Sequence, residues 1–215
     1  MQLPKLILLL LLSCPAFLYA QQASHVMKEQ VLDEKVGDLD RDGVEEKVTV
    51  VNMPDSSGTT MIRELRIFKK QGWEWKLWTS SLKAILPFQE GGTLGDPFEY
   101  IEIERGVLLV RQSGGNAWKW GQTDKYRFQR GAFELIGYTS FYGRPCEYWA
   151  GFDYNITARK VIYKKEYEKC SLKKEKKKKE QENFKYRLKK KITLETRYES
   201  YTTITSPKLK QEIVF

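Results

Sequence analysis

The sequence predicts an all-β protein, an antiparallel meander that curls into a sandwich or an open barrel and carries a long C-terminal β-hairpin. Three observations predict it. Turn signals built on glycine, proline, asparagine and aspartate recur about every eight to twelve residues. The runs between them are β-branched and aromatic, and across residues 61–78 apolar side chains alternate with polar ones, the period of a half-buried hairpin. Over residues 184–198 the alternation is strict. Phe184, Tyr186, Leu188, Ile192, Leu194 and Tyr198 fall on one parity, with Lys185, Arg187, Lys189, Lys191, Glu195, Arg197 and Glu199 on the other.

Composition divides the chain into four stretches. Residues 1–20 read as a secretory signal peptide: Lys5 stands near the start, leucines dominate residues 6–12, and Ala20 precedes Gln21. The apolar run is too short to span a bilayer, and no later stretch is long and apolar enough to do so, so no transmembrane segment is expected after cleavage. This makes the mature chain exported, periplasmic or secreted. Ser13-Cys14 resembles a lipoprotein box, and lipidation of Cys14 would make the protein an outer-membrane lipoprotein. Apolar residues continue through Leu18, which favours cleavage after Ala20. Residues 21–29 form a loose leader, residues 30–158 the main β-domain, and residues 159–215 a basic hairpin and tail.

The most chemically legible stretch is Asp38-Leu39-Asp40-Arg41-Asp42-Gly43-Val44-Glu45-Glu46, followed at once by the strand-like run Lys47-Val48-Thr49-Val50-Val51. Carboxylates fall on alternate positions and Gly43 sits where a tight loop must turn, so hard oxygen ligands can gather on one hard cation. An EF-hand would close the site with a bidentate Glu at the twelfth position, which here is Thr49. The expected ligand set is therefore Asp38, Asp40, Asp42, the Val44 carbonyl and Glu46, with calcium as the ion. The stretch resembles the calcium loop of FG-GAP and related β-propeller repeats, which joins two strands. It departs from them in ending on Glu, and no second copy recurs to support a propeller. The competing reading is an Asp/Gly-rich surface turn that holds no ion.

Downstream, residues 44–52 read as the first clear strand and residues 53–58 as a loop. Residues 61–69 and 73–78 form a hairpin, and residues 82–86 a short strand or a helical turn. Residues 91–97 are a loop, because glycines and the Asp96-Pro97 step disfavour regular structure. Residues 98–104 pair with 107–112 across Arg105-Gly106, and 118–128 pair with 132–141 across Gln129-Arg130-Gly131. The glycine-aromatic stretches Gly95-Asp96-Pro97-Phe98-Glu99 and Ser113-Gly114-Gly115-Asn116-Ala117-Trp118-Lys119-Trp120 either let backbone pack against a tryptophan or form a ligand-facing aromatic shelf. Together with the acidic loop and Tyr126-Arg127-Phe128, they make residues 36–154 similar to a group of small, uncharacterised, secreted bacterial all-β proteins. That resemblance implies export and an all-β fold and no particular activity.

Residues 148–154 and 160–167 read as a hairpin centred on Ala158, which would place Cys146 opposite Cys170. In an oxidising compartment the pair forms a cross-strand disulfide; the alternative is two separate thiols. The formal charge of +9 suggests a nucleic-acid or membrane surface at first sight. Its distribution argues against nucleic acid: residues 159–191 carry a local +11, whereas residues 21–158 carry −3. The lysine run Lys173, Lys174, Lys176, Lys177, Lys178 and Lys179 caps the C-terminal hairpin as a solvated tip that blocks edge aggregation, or as a patch for an anionic partner.

Catalytic chemistry finds little support. The single histidine, His25, lies in the leader, which leaves no triad and no His/Cys zinc site. Glu99, Glu102 and Glu104 lie near aromatics, but Glu102 and Glu104 share the solvent parity of their strand. The expected function is a non-catalytic, calcium-binding module of the periplasm or cell surface with an unknown protein or envelope partner. The alternative is an envelope adhesion or inhibitor protein that docks an acidic partner through the lysine tip.

Overall fold

The computed structural model describes residues 28–58, 61–170, 178–199 and 201–215. The expected signal peptide, Cys14, His25 and the lysines at 173, 174, 176 and 177 lie outside the described residues. The fold is all-β, with two antiparallel sheets that face each other. The smaller is a four-stranded meander of β1 (Gln30–Gly37), β2 (Glu46–Pro54), β3 (Met61–Gln71) and β4 (Glu74–Ser81). The larger is a seven-stranded meander of β5 (Phe98–Glu104), β6 (Val107–Gly115), β7 (Lys119–Gln129), β8 (Ala132–Arg144), β9 (Tyr148–Asn155), β10 (Lys160–Tyr167) and β11 (Lys179–Lys185). Its end strands, β5 and β11, do not pair, so the sheet does not close into a barrel, and the two facing meanders fit a sandwich. A ribbon of β12 (Thr203–Thr205) and β13 (Glu212–Val214) completes the fold.

Registers explain the core. Ile101, Val110, Asp124, Tyr138, Tyr154, Val161 and Phe184 stand opposite one another in one continuous row across all seven strands. Val48, Val50, Leu65 and Ile67 of the smaller sheet belong to the same buried cluster. Trp78 of β4 closes the layer by meeting Phe128 and Phe133 with ring centroids 4.5 and 5.1 Å away. Four strands cannot cover seven. The other half of the larger sheet is covered by the C-terminal ribbon, whose Ile204, Ile213 and Phe215 are buried and whose Phe215 ring packs on Tyr138, Phe152 and Tyr154.

Three expectations need correction. The loop is preceded by a strand, β1, that the sequence does not announce, because an edge strand buries little and QVLDEKVG shows no clean alternation. The strand expected over residues 184–198 ends at Lys185, where its ladder partner Lys160 begins. Beyond that point the chain leaves the sheet and crosses its end as an irregular strap, anchored by Tyr186 N to Arg159 O (2.9 Å) and Leu135 N to Ile192 O (2.8 Å), before a 3-10 turn at Leu194–Thr196. The hairpin carrying the cysteines pairs Asn155 with Lys160 and Tyr148 with Tyr167, half a residue off the expected centre. The Cys146–Cys170 disulfide therefore forms just past the ladder, with Cα atoms 4.9 Å apart and Cys146 in the left-handed region at φ 68°.

Candidate metal centre

The acidic loop is the connection between β1 and β2, which pair antiparallel from Gly37↔Glu46 onward. It folds on its own carboxylates. Asp38 accepts from the amides of Arg41 (2.6 Å) and Gly43 (3.1 Å), Asp40 from Asp42 (3.2 Å), and Asp42 from Val44 (2.7 Å). Arg41 and Gly43 take left-handed φ of 66° and 87°, which winds the loop inward. The result brings one carboxylate oxygen from each of Asp38, Asp40 and Asp42 within 4.8 Å of the others. Three hard oxygens at that spacing are a donor set suited to a hard divalent cation.

The other two expected ligands fare differently. Glu46 opens β2 with 1 % exposure, and its carboxylate accepts from Leu39 N at 2.8 Å. Burial pushes its pKa up, against the Leu39 amide, which pulls it down. Val44 is exposed and its amide is engaged by Asp42. The loop is also tied to both layers. Leu39 sits in the core at 1 % exposure, and Arg41 reaches the β5–β6 turn of the opposite sheet, donating to the Arg105 carbonyl at 2.8 Å.

A residue the sequence gives no reason to include completes the cluster. Lys69, near the end of β3, donates to Asp40 and lies 3.9 Å from both Asp42 and Glu46. Its ammonium also sits 4.1 Å from the Trp78 ring centroid. The hydrogen bond to Asp40 raises the lysine pKa, with Glu46 and Asp42 adding to it. The ammonium is a built-in monovalent counter-charge for the carboxylates.

Elsewhere the sequence misplaces one residue outright. Arg197, on the polar parity, is 1 % exposed and donates Nε to the fully buried Asp124 at 2.8 Å. Its guanidinium lies between the rings of Tyr138 (5.3 Å) and Tyr198 (4.5 Å). Tyr198 in turn accepts from Gln112 (2.9 Å) and Gln122 (2.6 Å). The lone aspartate among the aromatics of β7 is the only trace of this network in the sequence.

The remaining candidates separate. Gly114 lets Trp120 and Gly91 close in: a Cβ there would meet them at 2.7 and 2.8 Å. Trp118 stacks on Tyr142 at 5.1 Å and 6°. Trp120 lines a cleft of about 470 Å3 between the larger sheet and β13 whose lining includes one carboxylate, Glu212. Glu102 and Glu104 are exposed, and Glu99 pairs with Arg111. Of the lysine run, Lys178 and Lys179 are described, and they pair with Glu180 and Glu166 at 2.7 Å. Among the described residues no helix is long and apolar enough to cross a membrane. Compared with family models, curated proteins and solved structures, the chain matches none.

Proposed function

We propose that this chain is an exported, non-catalytic binding module whose β1–β2 loop takes up calcium. The observation that carries the calcium assignment is the approach of one carboxylate oxygen each from Asp38, Asp40 and Asp42 to within 4.8 Å of one another, with the Lys69 ammonium drawn to the same cluster. Carboxylates so close repel unless a cation lies among them. Lysine supplies one positive charge, and calcium would supply two and accept more oxygen ligands. Calcium and Lys69 thus compete for Asp40. The export assignment rests on the signal-peptide pattern of residues 1–20, and the cysteine pairing fits an oxidising compartment.

Titration calorimetry with calcium, alongside melting with and without chelator, tests the reading. Expected are saturable binding that is lost in Asp38→Asn/Asp42→Asn and a melting temperature that rises with calcium by mass action. No heat at millimolar calcium, together with melting indifferent to chelator, refutes the metal site.

A further inference from the structure

A groove of about 530 Å3 opens at the end of the larger sheet, where the β7–β8 and β9–β10 turns meet the strap after β11. Its lining carries Arg130, Arg159, Arg187, Lys189, Lys190 and Lys191 against a single carboxylate, Glu134. Glu134 bonds to Arg130 and Lys191. Among the described residues Arg159, Arg187, Lys189 and Lys190 make no ion pair, and all four are exposed. Aliphatic side chains, Ile136, Ile156 and Leu188, share the lining with the cations.

The distribution is specific. Lys178 and Lys179, at the other end of the β10–β11 hairpin, each have an acidic partner, whereas the groove gathers more cations than it has carboxylates. Two of the arginines stand at turn positions with left-handed φ, 55° at Arg130 and 57° at Arg159. Guanidinium forks match tetrahedral oxyanions with paired hydrogen bonds, and the volume falls within the range of small-ligand pockets.

We propose that this groove is a binding site for phosphate groups, carried either by a small organic phosphate or by a lipid headgroup. The cations hold the oxyanion and the aliphatic part of the lining takes the adjoining carbon skeleton. The inference is independent of the metal loop: it stands or falls without calcium.

The full chain is titrated with tripolyphosphate by calorimetry at low salt, and its co-sedimentation with phosphatidylcholine vesicles is compared with and without phosphatidylglycerol. Because the leucine-rich residues 6–12 would partition into either vesicle, the readout is the difference between the two compositions. Arg159→Gln/Arg187→Gln, both on exposed side chains, should weaken binding by about tenfold or more while leaving the melting temperature unchanged. Lys178→Gln/Lys179→Gln, which removes the same charge elsewhere, should leave it intact. Tripolyphosphate binding with no vesicle preference identifies a soluble phosphate, and a vesicle preference without tripolyphosphate binding identifies a headgroup; either one, or both together, supports the site when the arginine variant weakens it. Absence of both, or binding that the arginine variant does not weaken, overturns the proposal.

Discussion

Replacing Lys69 by methionine removes the ammonium and keeps a stem that can still cover Trp78. The lysine lies 3.9 Å from Asp42 and from Glu46 and is bonded to Asp40. Each unit-charge pair at that distance is worth about 1 kcal/mol in water and about 4 at an effective dielectric near 20. Lys69 is 31 % exposed and Asp42 49 %, so that pair falls toward the lower figure, while the pair with the buried Glu46 lies between the two. The bond to Asp40, whose side chain is 10 % exposed, adds about 1.5–3 kcal/mol as a charge-assisted interaction. These sum to at least about 3.5 kcal/mol, but solvent screening at the part-exposed ammonium and the cost of desolvating and fixing the lysine offset a large part of it; the net loss in calcium-free buffer is about 2 kcal/mol, which for a chain of this size is a fall of about 4–8 °C in melting temperature. With calcium saturating, the gap between variant and parent should close, since the metal takes over the neutralisation. Calcium affinity should rise by about tenfold to thirtyfold, because the ammonium no longer has to be displaced. Paired melting curves and calorimetry decide it. A variant that melts like the parent without calcium and binds calcium no more tightly shows that Lys69 does not hold the carboxylates.

Other perturbations probe the frame around that site. Arg197→Met should destabilise by about 3–5 kcal/mol, read in urea unfolding, because it strands the fully buried Asp124. Adding Asp124→Leu should recover most of that loss, and no recovery would mean that the arginine acts through packing on Tyr138 and Tyr198. Cys146→Ser/Cys170→Ser releases a loop with sequence separation 24, expected to cost about 3 kcal/mol, and the parent under reductant should melt like the variant. Glu134 is pushed up by burial, but hydrogen bonds from Arg130, Lys191 and Gln129 outweigh this and hold it at about 2. A carboxylate depressed on folding lends stability above its ordinary pKa of 4.5 and loses it as pH falls toward about 2. Glu134→Gln should flatten acid unfolding across that window, and an unchanged acid limb would refute the assignment.

How far the sequence speaks can be judged from particular residues. Hairpins announce themselves where turn and alternation coincide, as at Arg105-Gly106 and Gln129-Arg130-Gly131, because both signals are local. Alternation over residues 184–198 is equally plain and yields a strand only to Lys185. Period-two patterning reports that an extended chain has one face against the core; it says nothing about whether a neighbour is present to pair with. Leu188, Ile192 and Leu194 keep their core-facing parity in the strap, without a continuous ladder. Arg197 breaks the same rule from the other side, since only the fold reveals that Asp124 waits across the core. At the acidic loop, Asp38, Asp40 and Asp42 are legible because their partners are their own neighbours. Lys69 is 29 residues from Asp40, and no local signal can join them.

That long-range contact decides how a cation in the loop would act on the whole molecule. The loop is pinned at three points: Leu39 in the core, Glu46 at the buried start of β2, and Arg41 on the Arg105 carbonyl of the facing sheet. A surface turn without such roots could open alone, and its ligand would shift only a local equilibrium. Here, opening the loop withdraws Leu39 from the layer between the sheets and releases the Arg41 clasp across it. Loop integrity and sheet packing therefore rise and fall together. Calcium should raise the global melting temperature and protect amides of β1 and β2 in the same titration, with hydrogen exchange as the measure. Protection confined to residues 38–46, with the flanking strands unaffected, would mean that the loop is an independent appendage and that its three anchors do not couple it to the core.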